Sequence, residues 1–133
     1  GTTLIYAGQE AACSHLPSLF DRDTISWDTG TDLSDLMRRM ADIKHTKLDA
    51  DDAVFVAADD ENDIAVLRRE HNGRRKVGVF SLKSRSVEVE VPLPDDTYEN
   101  LIDGSTVAVQ DGRLACAGKP IVVATDVERA WGV

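Results

Sequence analysis

The side chains able to do chemistry fall into a few groups, and their spacing limits what each can do. Asp59, Glu61, Asp63 and Glu70 stand at relative positions 1, 3, 5 and 12, the offsets of a calcium-binding loop. Such a loop needs glycine at position 6 for its sharp turn, and Ile64 stands there. The segment also runs straight into a predicted strand, so a solvated acidic turn is the reading. His15, His45 and His71 have no metal-ligand spacing, and no metal site is expected. Ser14-His15 lacks a nucleophile elbow, since no G-x-S-x-G is present. Cys13 and Cys116, far apart and outside any CxxC, read as two small buried hydrophobes. The basic run His71 to Lys76 reads as an exposed hairpin tip too short for a nucleic-acid patch. Trp27 and Trp131 could stack on sugar rings, but aromatics make up only 5% of residues, so core or interface packing is favoured. No catalytic residue emerges from these groups, and no cofactor is expected.

The elements that would position these residues come in two textures. Over 133 residues, 42% hydrophobic and 29% charged content suits a globular chain with a real core. A net charge of −9 without a basic stripe argues against nucleic acid and anionic membranes as partners. No run approaches membrane-helix length and no signal-peptide pattern is visible; the expectation is a cytoplasmic location. Thr2 to Ala7 reads as a short strand, apolar on both faces in the manner of a parallel sheet. A long irregular stretch, residues 9–30, follows; loops of this length usually serve a function. Leu33, Leu36, Met37, Met40 and Ile43 then recur at helical spacing, predicting a helix over about 32–45 with Thr31 or Asp32 as cap.

From about residue 53 onward every segment reads as a short strand. The predicted strands are 53–58, 63–71, 75–82, 86–91, 97–102, 106–110, 113–117 and 120–125, with Asn72-Gly73, Asp103-Gly104 and Asp111-Gly112 as turns. The fold class expected is mainly β: an antiparallel Greek-key sandwich, each sheet with one buried and one wetted face, preceded by a strand-loop-helix unit. That unit, residues 1–50, and the sandwich, residues 51–133, are the expected domains. A lone parallel-type strand cannot bury both its faces, so it should belong to a larger parallel sheet.

A resemblance supplies that sheet. "GTTLIYAGQE" resembles the eighth barrel strand of the α-amylase family of glycoside hydrolases, whose pattern is close to G-x-P-x-I-Y-x-G-x-E. Gly1, Ile5, Tyr6, Gly8 and Glu10 match, and Thr3 stands where proline is usual. "PSLFDRDTISWD" is similar to the segment that often follows that strand, and "DLSDLMRRMADIKH" to the last barrel helix. "KVGVFSLKSRSVEVEVPLPDDTYENLIDG" and "VAVQDGRLACAGKPIVV" look like the C-terminal β-domain of the same enzymes. The resemblance implies a (β/α)8 barrel of which residues 1–50 are a remnant, followed by a C-terminal sandwich that buttresses it.

The same resemblance implies that the catalytic carboxylates are not in this chain. Retaining enzymes of this kind work with two carboxylates about 5–5.5 Å apart, and in the α-amylase family these lie on barrel strands before the eighth. The chain is therefore expected to be a non-catalytic C-terminal portion. Its parent would be a glycosidase or glucosyltransferase acting on an α-glucan or glucoside. Its partners would be the remainder of the parent barrel or, if apolar surface is left bare, a second copy in a homo-oligomer. Gln9 and Glu10 follow the strand on the face where barrels bind substrate, which makes them the substrate-rim candidates. The alternative is a self-standing carbohydrate-binding or protein-interaction sandwich module.

Overall fold

The computed structural model describes residues 4–45 and 53–126. The chain divides into two units, Gly1–Thr46 and Lys47–Val133. In the first, irregular chain leads through a single 3₁₀ turn, Gln9–Ala11, and a long loop to helix α1, Ser34–His45. The helix starts where Met37 N–H donates to Leu33 O at 2.9 Å, making Leu33 the capping residue. Asp32 just ahead of it accepts from Ser34 N–H at 2.8 Å, and Asp35 in the first turn pairs with Arg38. Acid at the N-terminus and Lys44 and His45 in the last turn suit the helix dipole.

One expectation for this unit changes. Leu4–Ala7, the described part of the strand expected over Thr2–Ala7, forms no strand. A strand exists only through its ladder, and among the described residues no segment pairs with it; its backbone bonds the following turn instead. The helical stripe forms as predicted, yet no α1 residue is buried, with Leu36 and Met40 exposed. Leu4, Ile5, Leu16, Leu19 and Phe20 are exposed as well. Much of the apolar pattern of this unit is thus left uncovered.

The second unit contains all eight predicted strands: β1 Ala53–Asp59, β2 Ile64–His71, β3 Arg74–Ser81, β4 Ser86–Glu90, β5 Asp96–Glu99, β6 Thr106–Gln110, β7 Arg113–Ala117 and β8 Ile121–Asp126. They form two four-stranded antiparallel sheets, ordered β1-β2-β3-β8 and β4-β7-β6-β5. In the second sheet β5, β6 and β7 are joined consecutively while β4 lies beside β7, which is a Greek key. Asn72 at φ 45° and Gly73 at φ 75° give the β2–β3 hairpin its two left-handed residues.

The core lies between the sheets. Val77, Val79, Ile121 and Val123 from one meet Val89, Val109, Leu114 and Cys116 from the other, with Ile64, Leu93 and Tyr98 closing the ends. The β4-β7-β6-β5 sheet alternates buried and exposed residues, as the sequence predicts. The other sheet does not. Val56, Leu67, Gly78 and Val122 are cross-strand partners in one row of its outer face, Val56 and Leu67 exposed but Gly78 and Val122 buried, and the next row carries Arg69 and Lys76. Val56 is 66% exposed there and Val54 beside it 53%. The Phe80 ring lies over Gly78, where an added Cβ would stand 2.7 Å from it. β1 thus carries apolar side chains on both of its faces, as a covered strand does.

Candidate functional site

The rim candidates Gln9 and Glu10 sit in the 3₁₀ turn, and both side chains fold back onto its backbone. Gln9 Oε1 accepts from Tyr6 N–H at 2.7 Å, and Glu10 Oε2 accepts from Gly8 N–H at 3.0 Å. Gly8 O accepts from both Ala11 N–H at 3.2 Å and Cys13 N–H at 3.0 Å. Gly8 has φ 92°, a conformation glycine adopts freely. Any Cβ there would stand 2.7 Å from Ile25 Cγ2. The turn is also tied to the helix and the loop: Leu33 N–H donates to Glu10 O at 2.7 Å, and Thr29 Oγ1 donates to Ala11 O. Ala11 is buried in consequence. Nothing in the sequence signalled this arrangement, because it depends on the left-handed backbone that Gly8 adopts.

The loop beyond is held by a second polar knot. Asp23 Oδ2 accepts from Ser18 N–H at 2.9 Å and lies 2.8 Å from His15 Nε2. The Ser18 amide, and after it His15, hold the Asp23 carboxyl below its ordinary range. Ser18 Oγ in turn accepts from Phe20 N–H and Asp21 N–H at 3.2 and 3.1 Å. Leu19 and Phe20 are thereby presented at the tip, Phe20 95% exposed. His15 is thus partnered by a loop carboxylate, and Ser14 has no part in the pair.

In the sandwich the acidic turn is satisfied from within. Asp59 accepts from Glu61 N–H and Asn62 N–H, both at 3.1 Å, and from Asn62 Nδ2 at 2.7 Å. Asp63 pairs with Lys83 Nζ at 2.9 Å and Arg85 Nη2 at 3.2 Å. Two cations thus hold the carboxylate that a calcium ion would need. Among the described residues no cluster of three His, Cys, Asp or Glu is placed to hold a metal ion. Both cysteines are free, Cys116 buried and Cys13 half-buried.

Two buried polar residues were not anticipated. Arg75, inside the basic run read as an exposed tip, is 6% exposed. Its Nε donates to Glu70 Oε1 at 2.6 Å and its Nη1 to Pro92 O at 3.0 Å, joining the two sheets. The alternation Arg74-Arg75-Lys76 is the one trace in the sequence, since the middle residue of a strand triplet faces opposite to its neighbours. Asn100, 2% exposed, uses its whole amide. Oδ1 accepts from Ile102 N–H at 3.2 Å and Val122 N–H at 3.0 Å, and Nδ2 donates to Pro120 O at 3.2 Å. Asn100 therefore ends β5 at Glu99, short of the predicted 102, and fastens that turn to β8.

The aromatic residues do not assemble into a sugar platform among the described residues. Phe55 and Phe80 lie on opposite faces of one sheet, Tyr98 is buried, and Arg68 covers the Phe55 ring at 4.0 Å. Trp27 is exposed in the first unit; Trp131 lies outside the described residues. A groove of about 440 Å³ lined by Phe55, Val66, Arg68, Val91 and Pro92 opens between β1–β2 and the end of β4. It contains no nucleophile and no pair of facing carboxylates.

Fold and side chains together define an accessory β-sandwich whose polar groups are spent on structure, preceded by a turn, loop and helix. Residues 55–123 match the family of bacterial α-amylase C-terminal domains, and the chain belongs to that family. It is similar to an α-amylase from Lactobacillus plantarum, at 31% identity and a TM-score of 0.76, over 91% of this chain and 29% of that one. It also shares its fold with a noncanonic maltogenic α-amylase, AmyB, from Thermotoga neapolitana, at 14% identity and a TM-score of 0.69, over 92% of this chain and 32% of that one. Comparison with curated proteins gives no match. The chain spans about a third or less of the enzymes it resembles. It is the C-terminal part of an α-amylase-family enzyme and holds no catalytic site among its described residues.

Proposed function

We propose that the parent enzyme cleaves or transfers α-glucosidic bonds in a glucan or glucoside by a retaining mechanism, and that this chain supports its barrel. In this reading residues 1–50 complete the barrel with its last turn, loop and helix, and residues 51–133 buttress it. The observation that carries the buttress is the exposed apolar patch of Val54, Val56 and Leu67 on β1 and β2. A contiguous apolar face of this kind marks an interaction surface. The surface it fits is the rest of the parent chain, whose removal would leave this face bare.

The test is made on the full-length enzyme. Incubated with a maltooligosaccharide, it should release product whose anomeric configuration, followed by NMR, matches the bond cleaved. Inverted product, or no action on any α-glucoside, would overturn the reading.

A further inference from the structure

Glu10 and Gln9 stand where substrate contact is expected of a barrel rim, yet each spends a side-chain oxygen on the backbone of its own turn. We infer that both are positioning residues rather than sugar ligands: they lock the Gly8–Ala11 turn and, through it, the course of the rim loop. The inference rests on the barrel-rim reading of residues 1–50.

The geometry forms a closed circuit. Glu10 offers its carboxylate to Gly8 N–H, two residues back, and its backbone carbonyl to Leu33 N–H at the head of α1. Gln9 offers its amide oxygen to Tyr6 N–H, three residues back. Tyr6 O in turn accepts from Gln9 N–H at 3.1 Å. Gly8 is buried with Ile25 and Cys13 against its α-carbon, so a side chain at that position has no room. Ala11 O takes the Thr29 hydroxyl from the far end of the loop. Both ends of the long loop are thus pinned to one turn of four residues. Rigid support of this sort is what holds catalytic loops to the tolerance chemistry demands.

The roles separate by chemistry. Gly8 N–H needs an acceptor, not a charge, and a glutamine supplies one. A sugar hydroxyl donating to a carboxylate, or a cation in the substrate cleft, would instead feel the loss of charge. In the full-length enzyme Glu10→Gln should therefore keep kcat/KM within about 2-fold of the parent value, whereas Glu10→Ala should lose about 10-fold, the loss falling on kcat with KM nearly unchanged. Gln9→Glu should be tolerated and Gln9→Ala impaired in the same pattern. Hydrogen exchange of the peptide spanning residues 6–12 supplies a readout independent of turnover. It should accelerate in Glu10→Ala and stay at the parent rate in Glu10→Gln. If Glu10→Gln is as damaging as Glu10→Ala, with KM raised, the carboxylate meets substrate and the inference is wrong. Unchanged exchange in Glu10→Ala overturns it equally. A full-length enzyme inert on α-glucosides would instead overturn the functional reading, while the exchange comparison still decides the lock.

Discussion

At the scale of single residues, the polar side chains the fold buries are brackets. Arg75 is cross-strand partner to Glu70 and reaches Pro92 O across the core. Removing one member of a buried pair leaves the other's charge uncompensated, at a cost of about 3–5 kcal/mol when both are buried. Glu70 keeps 30% of its side chain exposed and has a second cation, Arg68 Nε, 3.6 Å from its Oε1, so Arg75→Ala should cost about 1–3 kcal/mol in urea unfolding of the full chain. Arg75→Met, which keeps the packing, should cost less. Asn100→Ala should be comparably severe, at about 2–4 kcal/mol, since it strands Val122 N–H, Ile102 N–H and Pro120 O together. A loss under about 0.5 kcal/mol in either alanine variant would show that the bracket is dispensable. Neither residue stood out in the sequence: an Arg in a basic run and an Asn before a turn read as surface, because charge pattern alone does not reveal which strand face a residue occupies.

At the scale of elements, turns are fastened by carboxylates, and that fastening depends on pH. Asp95 Oδ1 accepts from Gly112 N–H at 2.9 Å and Oδ2 from Asp111 N–H at 2.8 Å, clamping the β6–β7 turn to the loop before β5. These bonds, Gly112 first, hold its carboxyl below its ordinary value of 3.8. Asp103 is lowered likewise by Ser105, and Asp59 by Asn62. A folded-state value below the unfolded one means the stabilisation is present in full above the unfolded value and is lost as pH falls through the folded one. The sandwich should therefore keep a constant unfolding temperature through neutral pH and lose it below about pH 4. Asp95→Asn should shrink the difference between the unfolding temperatures at pH 7 and pH 3; an undiminished difference would exclude the clamp as a source of acid sensitivity.

The strands carrying these turns were legible from alternation and turn residues, as at Val87, Val89 and Val91 and at Asn72-Gly73. Of the strand expected over Thr2–Ala7, the described part Leu4–Ala7 is irregular, and no described segment forms a ladder with it. Glu10 and Gln9 could be located from the resemblance, but not their inward hydrogen bonds, which depend on the backbone conformation at Gly8.

At the scale of the molecule, β1 is apolar on both faces and exposed, and the first unit leaves its helical stripe unburied. Val56→Glu together with Leu67→Glu places two charges on the outer row. In the full-length enzyme the pair should lower the unfolding temperature by several degrees. Charges at Thr97 and Ala108 on the wetted face of the other sheet should change it little. Equal effects on the two faces would mean the outer row meets nothing. The proposed role of the chain is to support a catalyst without being one. Reducing-sugar release from starch, measured for the 133-residue polypeptide and the full-length enzyme side by side, decides this. The full-length enzyme should release sugar and the polypeptide none; any release by the polypeptide, or none by the full-length enzyme, would refute that role.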